Sequence, residues 1–127
     1  MNVFSMNGYI WRVRFVEPYS PMLVDRTGKR TVATTDPTNL QVCLSNELQG
    51  DFLIQVLLHE LGHCALYSFN LIDDIHRMVY PENWIEAEEW VCNFIADYGF
   101  RIFSTAYSVL GDEALKLIPP ELDKLIA

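Results

Sequence analysis

At 127 residues, 50% hydrophobic and 13% aromatic, the chain is long enough for one domain with its own core and too apolar to stay disordered. Its formal charge of −8, from 17 acids against 9 bases, shows no basic stripe and speaks against nucleic acid as a ligand. No apolar run reaches membrane-spanning length, and the first residues lack the basic and apolar parts of a signal peptide.

The expected location is therefore cytoplasmic, with no membrane partner. Cys43, Cys64 and Cys92 have neither framework nor CxxC spacing, which fits reduced thiols packed as small hydrophobes. The bases Arg12, Arg14, Arg26, Lys29 and Arg30 are too few for a phosphate-binding surface.

Taken in chain order, YIWRVRFV at 9–16 alternates, with Tyr9, Trp11, Val13 and Phe15 on one face of a half-buried strand. Pro18 and Pro21 end it. A turn at Thr27-Gly28-Lys29 leads to a β-branched run, Thr31 to Thr35. Asp36 to Asn39 reads as another turn before a short strand, Leu40 to Ser45. Residues 8–45 are thus expected to form a small antiparallel sheet.

From 51 to 69 the pattern becomes helical, with Asp51 as the expected cap and apolar residues on nearly every side, which predicts a central buried helix. A short turn of helix is expected at Asp73 to Met78, then a long helix over 84–103. The tail, 104–127, reads as weaker helical pieces near Thr105–Leu110 and Asp112–Ile118, broken at Gly111, with a last turn after Pro119-Pro120. The expectation is a single α+β domain over 1–127.

The first helix carries VLLHELGHCAL. Positions four apart on a helix share a face, so His59 and His63 can direct two imidazoles at one ion. Zinc accepts imidazole nitrogen at about 2.0–2.1 Å, and a catalytic site takes three protein ligands and a water. Glu60, one step round the helix, is placed to take a proton from that water. The competing reading is a core helix with satisfied histidines. Against it, such a pattern arises by chance in fewer than about 1% of chains this long. Two of the 3 histidines lie in this pentapeptide, and burying these groups without a partner is costly. Gly62 costs the helix about 1 kcal/mol relative to alanine, which points to close packing at that turn.

A third ligand must come from elsewhere. The metzincin continuation requires Gly and His where this chain has Leu66 and Phe69, so that clan is excluded. His76 sits beside Asp73 and Asp74 and reads as a surface residue. The acidic segment WIEAEEWVCNFIADYG at 84–99 offers Glu86, Glu88 and Glu89. Glu89 shares a face with Asn93, which could hold a ligating imidazole or the carboxylate, and this favours Glu89, with Glu86 and then Glu88 behind it. The alternatives would be solvated acids near the helix N-terminus.

HELGH followed by EEWVCNFIADYG resembles the gluzincin zinc metallopeptidases, in particular the ImmA/IrrE-like group of phages and mobile elements, over roughly residues 8–103. The second motif of that group, near E-x-x-[AC]-N-x-x-A, corresponds to Glu89 through Ala96. Many members of the group attach to a DNA-binding domain, and no such segment is expected within residues 1–127; Asp97-Tyr98-Gly99-Phe100 also stands where a Leu-Leu-Met-Pro-like stretch is common. The resemblance implies a zincin-like domain holding Zn2+ through His59, His63 and Glu89, with Glu60 as catalytic base, acting on a regulatory protein or peptide substrate. It also implies that the substrate lies extended on an edge strand, for which Leu40 to Ser45 is the candidate. Tyr67, Tyr80, Tyr98 and His76 are candidates for stabilising the oxyanion, each with a structural role as the competing reading. The alternative function is a non-catalytic zinc-binding interaction module.

Overall fold

The structure, a computed structural model, describes residues 2–116. β1 (Val3–Met6) and β2 (Tyr9–Val16) form an antiparallel hairpin. Asn7 and Gly8 at its tip have φ of 48° and 82°, the paired left-handed conformation that a two-residue hairpin requires. Trp11 of β2 is fully buried, and its indole Nε1 donates to Ser68 Oγ at 2.8 Å.

Two further strands complete the sheet: β3 (Ala33–Asp36) and β4 (Gln41–Ser45), in spatial order β1-β2-β4-β3. β4 pairs antiparallel with β3 and parallel with β2. The sheet is therefore mixed, not antiparallel, and it begins before residue 8. The intervening residues 17–40 are long enough to return the chain for a parallel pairing, which a tight turn could not do. A 3₁₀ turn, Pro21–Leu23, and a loop closed by a bridge between Val24 and Arg30 occupy that excursion. The expected β-branched strand is displaced toward Asp36.

α1 (Gly50–Ser68) packs against the sheet through Cys64, Leu53, Val56, Leu57 and Tyr67, which meet Trp11, Val42 and Leu44. Asp51 lies in its first turn rather than capping it, and no side chain caps that end. Its burial is one-sided near the start: Phe52 and Ile54 are exposed, whereas Glu60, Gly62, Cys64, Leu66 and Ser68 are buried. Asn70, with φ of 56°, turns the chain away after the last turn, an αL position asparagine tolerates.

After α2 (Ile72–Met78), α3 (Trp84–Leu110) lies on the opposite side of α1 from the sheet, packing through Cys92, Ala87 and Val91 onto Leu66 and Ile75. It is one uninterrupted helix past the expected end near residue 103. Thr105 Oγ1 donates back to Arg101 O at 2.8 Å, so the hydroxyl bonds within the helix, which runs on to Gly111 at φ 63°. A 3₁₀ turn covers Gly111–Lys116. The expected last turn after Pro119-Pro120 lies outside the described residues. The protein is thus an α+β domain with α1 between sheet and α3. Among the described residues no single helix is long and apolar enough to cross a membrane.

Candidate metal centre

The helical spacing on α1 sets His59 and His63 one turn apart, with ring centroids 4.9 Å apart and Nε2 atoms separated by 3.2 Å. α3 approaches α1 where Gly62 faces Cys92: a Cβ on Gly62 would stand 3.3 Å from the Cys92 Cα. That close approach brings Glu89, one turn earlier on α3, to the histidines. Its Oε2 is 3.0 Å from His59 Nε2, and its Oε1 is 3.2 Å from His63 Nε2.

The two imidazole nitrogens are thus 3.2 Å from each other, and each is 3.0–3.2 Å from a different oxygen of the Glu89 carboxylate. Ligands about 2.0–2.1 Å from a tetrahedral zinc stand about 3.3–3.4 Å apart, close to these separations. Two imidazoles and a carboxylate, all turned to one point, are a donor set that fits Zn2+, which in a catalytic site takes three protein ligands. Among the described residues this is the set of His, Cys, Asp and Glu groups that converges closely enough to hold an ion.

Electrostatics follow from these contacts. Hydrogen bonds from His59 and His63 hold the Glu89 carboxyl far below the usual carboxylate range. The same Glu89 contact raises His59 above its ordinary value, against the opposing effect of burial, with Glu60 and Asn93 adding in the same direction. Glu60 is only 7% exposed, and burial raises its carboxyl. Thr35 opposes that shift by donating its hydroxyl to Glu60 Oε1 at 2.8 Å. The other oxygen, Oε2, faces the triad at 3.8 Å from His59 Nε2. Burial pushes the Cys64 and Cys92 thiols up to about 12, so both are protonated packing groups at neutral pH.

The other sequence candidates fall elsewhere. Glu86 is exposed and joins no contact with the triad. Glu88 is not the solvated acid expected at a helix N-terminus: it is 5% exposed, with Oε1 accepting from Arg26 Nη1 at 3.1 Å and Oε2 at 2.9 Å from His76 Nε2. His76 is correspondingly no surface residue. Its ring stacks on Trp84 at 4.3 Å, which half-buries it. Tyr80 and Tyr98 are exposed, and Tyr67 packs edge-on against Trp11 and Tyr9.

A cleft of about 710 Å³ opens over the triad, between the Pro21–Thr31 segment and β3 on one side and α1 and α3 on the other. A smaller cavity of about 270 Å³, bordered by Phe52, Val56, Val32 and Ala96, adjoins it across His59 and Glu60. The edge strand beside the triad is β3, not the segment Leu40 to Ser45, which lies as β4 between β2 and β3 with both sides paired. Alternating hydropathy cannot distinguish an edge from an interior strand, so Thr35 and Arg26 carried no sequence signal. Both reach the site only through tertiary pairing. Comparison with known proteins finds no family model, no curated protein and no solved structure that matches this chain.

Proposed function

We propose that the chain is a zinc-dependent endopeptidase that hydrolyses a protein or peptide substrate, with His59, His63 and Glu89 as ligands and Glu60 as general base. The observation that carries this reading is the convergence of two imidazole nitrogens and the Glu89 carboxylate, with contacts of 3.0–3.2 Å, and a buried carboxylate beside them. A zinc ion there would supply Lewis acidity, polarising a water and lowering its pKa to about 7.

The chain's own groups do the rest. Thr35 fixes one oxygen of Glu60, leaving the triad-facing oxygen to accept the proton of the attacking water. Burial raises the Glu60 carboxyl toward the range useful for a base that must later return its proton. That proton then passes to the leaving amine. The substrate would lie extended along β3, whose outer edge borders the cleft.

The test is a metal analysis paired with a cleavage assay on an unfolded protein and a mixed peptide library. Expected are one zinc per chain, lost in His59→Ala and Glu89→Ala, and a Glu60→Gln variant that keeps zinc but cleaves about 10²–10⁴-fold more slowly. Absence of zinc after exposure to metal-replete buffer would refute the reading. One observation favours a non-catalytic interaction module instead: Trp90, Phe94 and Tyr98 form an exposed aromatic row along α3. Stoichiometric zinc with no hydrolysis in either assay would select that alternative.

A further inference from the structure

Glu88 poses a problem the ligand set does not solve, because it is a buried carboxylate that neither binds the ion nor acts as base. Burial of such a charge is tolerated only when both oxygens are partnered. Here Arg26 takes one and His76 the other. His76 is itself fixed: its ring stacks on Trp84, and Trp84 Nε1 donates to its carbonyl oxygen at 3.1 Å. Trp84, His76 and Glu88 thus form a run of contacts that ends on the Arg26 guanidinium.

Arg26 is steadied from its own loop as well. The Asp25 carboxylate accepts from the backbone N–H groups of Thr27 at 2.8 Å and Lys29 at 3.0 Å, and the Val24–Arg30 bridge closes the loop. The guanidinium is therefore held from both sides at the mouth of the cleft. Its Nη2 lies 3.4 Å from Glu89 Oε1, the oxygen that faces His63.

Three features define what this cation can do. Among the described residues lining the cleft it is the one Lys or Arg, set among Asp25, Asp36, Glu60, Glu88 and Glu89. It is 43% exposed, and its contacts with Glu88 and Glu89 occupy two of the five N–H donors a guanidinium offers. It also reaches the triad beside Glu89 and His63, whereas Glu60 approaches beside His59. Base and cation thus flank the cluster on different sides.

We propose that Arg26 donates hydrogen bonds to the carbonyl oxygen of the scissile peptide bond, stabilising the oxyanion. The assignment rests on the peptidase reading above. As the water oxygen bonds to the carbonyl carbon, its proton moves to Glu60 and the C=O electron pair moves onto oxygen. Arg26 holds that negative charge through N–H donors and loses no proton itself. When the pair returns to re-form C=O, the C–N bond breaks and Glu60 delivers its proton to the departing nitrogen. Tyr67, Tyr80, Tyr98 and His76 are not needed for this step.

The experiment compares two probes built on the same leucine amide, bound to the zinc-loaded protein. One carries an N-phosphoryl group, a tetrahedral anion; the other carries a hydroxamate. In Arg26→Ala the phosphoryl probe should bind about 10- to 100-fold more weakly, while hydroxamate and zinc affinities stay within about threefold of wild type. Arg26→Lys should recover part of the loss. Arg26→Gln, which keeps donors without the charge, separates charge from hydrogen bonding, and thermal unfolding of each variant verifies folding. Unchanged phosphoryl affinity overturns the assignment. Parallel loss of both probes and of zinc also overturns it, making Arg26 a prop for Glu89 alone. A wild-type protein that binds no zinc overturns the peptidase reading and this assignment together.

Discussion

Replacing Gly62 by alanine adds one methyl group where α1 faces α3. The new Cβ would stand 3.2 Å from Cys92 Sγ, 3.3 Å from its Cα and 3.4 Å from its Cβ. Carbon atoms in contact prefer about 3.5–4.0 Å, so α3 must retreat by a few tenths of an ångström. Alanine gains about 1 kcal/mol of helix propensity over glycine, and overpacking costs about 1–3 kcal/mol. The expected balance is a loss of about 1 kcal/mol, or roughly 3–5 °C in Tm for a chain of this size. Glu89 rides on the same helix one turn before Cys92, so it retreats with it. Metal–ligand distances tolerate about 0.2 Å. Zinc affinity should therefore fall by about tenfold, a larger effect than the stability change suggests. Thermal unfolding of the metal-free protein and competition against a chelator measure the two quantities separately. A variant that gains the full propensity term in Tm and binds zinc as wild type would refute the idea that this contact sets the position of Glu89.

Thr35→Val removes the donor that does most to hold the Glu60 carboxyl down, leaving only the His63 and His59 charges to oppose burial. The acidic limb of kcat/KM should move to higher pH, and an unmoved limb would show that Thr35 does not act on the base. In the metal-free protein, His59 is raised from its ordinary 6.5, so its contribution to stability is complete below that value and disappears as pH rises through the folded one. Glu89 is lowered from 4.5, so its contribution is present above that value and disappears only as pH falls through the folded one. Metal-free stability from this pair should thus peak between those values, and zinc affinity should increase from pH 6 to pH 8 as His59 gives up its proton; titration calorimetry at both pH values checks this, and a flat profile contradicts it. Trp11→Phe strands the Ser68 hydroxyl in the core and should cost about 1–3 kcal/mol by denaturant unfolding, without changing zinc affinity.

The parts of this site that sequence makes legible are those set by local geometry. His59, Glu60 and His63 sit within one turn and a step of a single helix, so their relation follows from helical pitch alone. Glu89 was accessible because Asn93 shares its face. The hairpin at β1 had a signal in Asn7-Gly8, but the short segment before it carries little hydrophobic pattern. Glu88 and Glu89 are neighbours in sequence, yet one turns toward His76 and the other toward the histidine pair. Which acid finds which partner depends on how α2 and the Asp25–Lys29 loop lie across α3, and no periodicity encodes that. The order of the strands is hidden for the same reason: β4 reads as a strand, and nothing in its residues says that it lies between two others.

That insertion bears on how the candidate site is put together. β2 and β3 both precede β4 in the chain, yet neither pairs with the other; β3 joins the sheet only through β4. The candidate ligands His59, His63 and Glu89 all lie on α1 and α3, whereas the hydrogen bond from Thr35 to Glu60 comes from β3. On the proposed function, holding an ion and anchoring the base thus draw on different parts of the fold: the helix pair for one, the β3 edge for the other.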